Sequence, residues 1–213
     1  MNRPAISRIG TTLLLCLISG AVAQAQSKKV FTANGPFAFA SPCSVSGTTL
    51  TCLFLRVFRG GTTPPSTFLF YDIFTADLST GFPLGDLIGS GTIPNSAFQV
   101  QGKTDSLFVD TSALDPSLFA NMTCTFDPST GMEPCVGSHG GVVSGKWTGF
   151  FPFFGGSTSG TSKFGSPGFA FITTGNSDFN FALANVTVLG QTFTDPIATI
   201  GKEHNTSISI ERK

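Results

Sequence analysis

Two histidines, His139 and His204, are the only imidazoles in the 213 residues, which limits general-base chemistry at neutral pH. His139 lies in the run Gly137-Ser138-His139-Gly140-Gly141, a place where a hydrolase could hold a base or an oxyanion turn. Adjacency of serine and histidine in sequence does not make a catalytic pair, because the members of a triad come from separate elements. No Gly-x-Ser-x-Gly elbow accompanies them. His139 therefore reads first as a solvent-facing loop residue. A secreted hydrolase using His139 or an Asp pair is the alternative. The aspartates Asp72, Asp77, Asp86, Asp105, Asp110, Asp115, Asp127 and Asp178 offer carboxylates for a glycosidase pair or a calcium site. Separation in space decides the first, and the alternating Asp loop of the second is missing. Several of these aspartates stand before Pro or Gly, or beside Ser and Thr, and read as turn formers.

Thiol chemistry is the next possibility. Apart from Cys16 near the N-terminus, the cysteines are Cys43, Cys52, Cys124 and Cys135. An even number in an exported chain reads as disulfides, and the expected pairs are Cys43 with Cys52 and Cys124 with Cys135. Each pair brackets a turn signal, Ser46-Gly47-Thr48 in one and Asp127-Pro128-Ser129-Thr130-Gly131 in the other, so each can staple a tight hairpin. A zinc site would need short Cys-x-x-Cys pairs, and the sequence has none. No metal or other cofactor is expected.

The compartment follows from the N-terminus. Arg3 and Arg8 precede the apolar run Thr12-Leu13-Leu14-Leu15-Cys16-Leu17-Ile18, and small residues lead to Ala23-Gln24-Ala25. That order predicts a secretory signal peptide over residues 1–25, cut after Ala23 or Ala25, and an extracytoplasmic or secreted product. The run is too short to span a bilayer, so no transmembrane span is expected in the mature chain. Residues 26–213 read as one domain. The formal net charge is zero and only 11% of residues are charged, so there is no basic stripe to recruit nucleic acid. The 23 phenylalanines supply more apolar surface than a solvated, disordered chain carries.

The elements that would position these groups are strands. Leu50 to Phe74 form two apolar arms around Arg59-Gly60-Gly61-Thr62-Thr63-Pro64-Pro65, the pattern of a central hairpin buried on both faces. Arg56 and Asp72 are the charges set among large apolar neighbours in its arms. Pairing of the arms would set them opposite or diagonal, as a cross-strand ion pair that fixes register. Residues 76–91 read as a loop, and Gly155 to Ser162 as a flexible piece. Trp147 reads as a core anchor. Further alternating runs predict an all-β, single-domain antiparallel β-sandwich or jelly-roll-like barrel of about eight to eleven short strands. An outer-membrane barrel fits poorly, since its lumen should be polar.

One aromatic run is a candidate surface. Phe150, Phe151, Phe153 and Phe154 flank Pro152, which bars them from a fully hydrogen-bonded central strand. They either add to the core or form an exposed apolar patch for a partner such as an extracellular polymer or surface protein. With one Trp and one Tyr, the chain is a poor lectin on composition. Asn121, Asn185 and Asn205 each begin an N-glycosylation triplet. The function expected is a non-enzymatic structural or binding module at the cell exterior.

Overall fold

A computed structural model describes residues 26–61, 64–149, 155–166 and 169–212. Among the described residues thirteen strands follow one another: β1 (Gln26–Ala40), β2 (Cys43–Ser46), β3 (Thr49–Gly60), β4 (Ser66–Asp77), β5 (Phe82–Ile93), β6 (Phe98–Gln101), β7 (Thr104–Asp110), β8 (Phe119–Thr125), β9 (Cys135–Gly137), β10 (Val142–Thr148), β11 (Gly155–Ser166), β12 (Phe169–Val188) and β13 (Gln191–Arg212). The all-β antiparallel class is as expected, with more strands than expected. All thirteen belong to one continuous sheet, in the order β6-β7-β10-β12-β13-β1-β3-β4-β5-β8-β9, with β11 beside β12 and β2 beside β3.

Side-chain alternation shows how this sheet makes a core. Along β3, Leu53, Leu55 and Val57 are buried, while Phe54, Arg56 and Phe58 point the other way and are less covered. β4 repeats the pattern with Leu69, Tyr71 and Ile73 inside. These meet Leu107, Val109, Val143, Trp147 and Val186 from β7, β10 and β12 in a single apolar cluster, so the sheet curls and one face wraps on itself. Trp147 is wholly buried, as its sequence context predicts, and its indole N–H donates to the Phe39 carbonyl at 3.0 Å. The two ends of the sheet approach each other at Gly140, where an added Cβ would meet both the Thr111 hydroxyl, next to β7, and the Asn121 amide on β8.

The central hairpin is β3 and β4, paired so that Arg56 faces Phe70 and Phe54 faces Asp72. It is not buried on both faces. Among the described residues no second layer of sheet covers this face, and the outer rings pack on one another. Phe54 contacts Phe39 and Phe70 edge-on, and Phe58 stacks on Phe68.

Two segments read as loop or flexible are strands. β5 occupies most of the stretch 76–91 and lies between β4 and β8. Its glycines leave room that larger residues would fill: a Cβ at Gly89 would overlap the Tyr71 ring, and one at Gly91 the backbone of Leu118 and Phe119. β11 pairs along its whole length with the first half of β12 and is exposed throughout. Both expected disulfides are present, each joining directly opposed residues of a hairpin with Cα atoms 4.0 Å apart.

Candidate functional site

Aromatic and charged groups converge on the outer face of the sheet across β1, β3 and β13. Strand register fixes it: Phe37 on β1 faces Phe58 on β3, Phe39 faces Arg56, and across the other edge of β1 they face Gly201 and Thr199 on β13. Glu203 and Asn205 follow on the same face of β13, two and four residues beyond Gly201. Arg56 reaches over β1 to Glu203, and its Nη2 donates to Oε2 at 2.6 Å. The Asn205 amide donates to the same oxygen at 2.7 Å. Glu203 is 2% exposed, whereas the Arg56 side chain is 40% exposed and lies over the Phe58 ring at 4.7 Å.

These groups line an open cleft of about 320 Å³, with Phe37, Phe39 and Phe54 as apolar wall and Ser177 and Thr199 adding hydroxyls. Two glycines allow the packing. A Cβ at Gly201 would crowd the Phe37 ring, and one at Gly175 would overlap the Asn205 amide and backbone. The second carboxylate oxygen of Glu203, Oε1, is buried and accepts no hydrogen bond within the described residues. A buried acceptor on a charged group normally finds a donor. The arrangement therefore holds a carboxylate ready to accept from a group that enters the cleft, beside a guanidinium with N–H groups to spare.

The expected Arg56–Asp72 pair is replaced by Arg56–Glu203. The hairpin register does place Arg56 and Asp72 diagonally, yet Arg56 turns toward β13, where a more buried carboxylate offers the stronger pull. Asp72 lies instead on the β5 side, where its Oδ1 is buried without a partner. Burial, then the nearby charges of Asp86 and Glu133, push its pKa up to about 6. The aromatic run Phe150, Phe151, Phe153 and Phe154 lies outside the described residues.

His139 is exposed and lines a second cleft of about 390 Å³ with Thr111, Ser112, Asn121 and Ser138. The Ser138 hydroxyl is buried without a partner. Tyr71 donates to the Asn121 side chain at the edge of this region, and burial pushes the phenol up to about 12. No hydrogen bond joins His139 to a serine or a carboxylate among the described residues.

The aspartates divide by environment. Asp77, Asp110, Asp115 and Asp127 each accept from the backbone N–H two residues on, the turn-forming role read from their neighbours. Those bonds hold all four below the usual carboxylate range, side-chain bonds to Ser79, Ser112 and Ser129 leading for Asp77, Asp110 and Asp127, and the Ser117 backbone leading for Asp115. Asp105 is 3% exposed, and burial pushes it up to about 6. It borders a third cleft, of about 230 Å³, with Asp178 and Lys202.

No motif marks Glu203, Asn205, Phe37 and Phe39 as a group in the sequence. The available signal was the alternation Glu203-x-Asn205-x-Ser207-x-Ser209, which sets a polar row on one face of a strand. No family model, no curated protein sequence and no solved structure matches this chain.

Proposed function

We propose that this chain is an exported, non-enzymatic binding module of the cell exterior, and that it binds an extracellular polymer or surface protein through the outer face of its sheet. The cleft over Glu203 carries this reading, since it joins a buried acceptor without a donor, a half-exposed guanidinium and three phenyl rings on rigid strands. Rigid strands hold such groups in place at little entropic cost on binding. Export is supported by the leader-like N-terminus and by the two hairpin disulfides, which persist in oxidising compartments.

The test is retention of the purified, oxidised protein on immobilised peptidoglycan, cellulose, chitin and gelatin. Retention on at least one, lost in Phe54→Asp, is the expected result. Retention on none, or retention indifferent to Phe54→Asp, overturns it. N-terminal sequencing of the secreted product should begin at Gln24 or Gln26.

The buried, unpartnered Ser138 hydroxyl beside His139 favours a second reading, a secreted hydrolase. Hydrolysis of p-nitrophenyl acetate that His139→Ala abolishes would establish it over the first.

A further inference from the structure

We infer that the ligand of the Glu203 cleft is a neutral, hydroxyl-rich chain, a glycan; this rests on the binding-module reading above and names its ligand class. Charge comes first. Among the described residues, the ionic groups lining the cleft are Arg56 and Glu203, which neutralise each other at 2.6 Å, so neither a strong anion nor a strong cation gains from entering. Hydrogen-bonding capacity comes second. Glu203 Oε1 has lone pairs and no donor, and Arg56 spends one of its five N–H groups on Glu203. The hydroxyls of Ser177 and Thr199 stand at the same cleft. A ligand that both donates and accepts at closely spaced positions satisfies this set, and adjacent sugar hydroxyls do so.

Shape comes third. The remaining wall is Phe37, Phe39 and Phe54, and the apolar C–H face of a sugar ring packs on such rings. Phe54 is 43% exposed and packs edge-on against Phe39 and Phe70, so its ring stands as an open, fixed wall of the cleft. The shortage of Trp and Tyr argues against a lectin only when averaged over the chain. Locally the register of β1 and β3 gathers Phe39 and Phe54 where the stacking is needed, with the buried Phe37 beside them. An extended peptide is less well served, because its backbone would seek a free sheet edge, whereas β1, β3 and β13 are paired on both sides around this cleft.

Calorimetric titration of the full mature protein with cellohexaose, chitohexaose, xylohexaose and maltohexaose tests the inference. At least one should bind, and Glu203→Gln, which exchanges the acceptor for an amide, should weaken it by about tenfold or more. Thr199→Val, a smaller change at the rim, should weaken the same sugar by a few-fold with an unchanged melting temperature. Binding of none of the four, or equal binding by Glu203→Gln, overturns the glycan. If no hexaose binds while gelatin still retains the protein in a Phe54-dependent way, the binding-module reading survives and the ligand is a protein. If no material retains it, the reading itself falls.

Discussion

Removing either partner of the Arg56–Glu203 pair should have unequal consequences. Arg56→Met leaves a carboxylate that is 2% exposed with only the Asn205 amide as donor. Orphaning a buried charge costs about 3–5 kcal/mol, and the surviving Asn205 bond places this case at about 3 kcal/mol. Glu203→Gln leaves a guanidinium that is already 40% exposed and free to turn to water. The Gln oxygen still accepts from Arg56 and Asn205, so the cost is about 1 kcal/mol, that of weakening a charge-assisted bond. Urea unfolding of the oxidised protein at pH 7, followed by Trp147 fluorescence, measures both. Equal losses, or an Arg56→Met loss under about 1 kcal/mol, would show that Glu203 is not a buried charge held by Arg56.

Three further outcomes are expected. Asp105 has its pKa raised to about 6 by burial, so the folded state takes up its proton more readily than the unfolded one and stability falls as pH rises from about 4 through about 6. Asp105→Asn should therefore stabilise the protein by about 1–2 kcal/mol at pH 7 and by almost nothing at pH 4, read from thermal melts across that range. Replacing either disulfide by a pair of serines should cost about 2–3 kcal/mol, since the cysteines are separated by 9 and 11 residues in sequence and close short loops; unfolding midpoints check it, and a peptide map linking Cys43 to Cys124 would refute the pairing. Expressed in a eukaryotic host, the exposed Asn185 should carry glycan, while Asn121 and Asn205, both half-buried, should not; glycopeptide mass spectrometry decides.

What the sequence disclosed was local. The alternation of Leu53, Leu55 and Val57 with Phe54, Arg56 and Phe58 announces a strand, and the turn residues between the cysteines announce the disulfide hairpins. Each depends on residues within a dozen positions of one another. Gly85, Gly89 and Gly91 misled, because glycine read alone signals a loop, and only the neighbouring Tyr71 ring and β8 backbone explain its presence in a central strand. The partner of Arg56 was hidden for a different reason. Asp72 lies 16 residues away and Glu203 lies 147 away, so choosing between them needs the β1–β13 register, which the hydrophobic pattern of either strand alone does not specify. The same holds for the cleft, whose groups come from β1, β3, β12 and β13.

Amide hydrogen exchange on the full mature protein, free and bound to whichever immobilised material retains it, tests the assignment of the outer face as the binding surface most directly. Protection should rise in peptides covering Phe37 to Phe39, Phe54 to Phe58 and Thr199 to Asn205. Protection centred instead on Thr111 to Asn121 and Ser138 to Gly140 would move function to the His139 cleft and contradict the account.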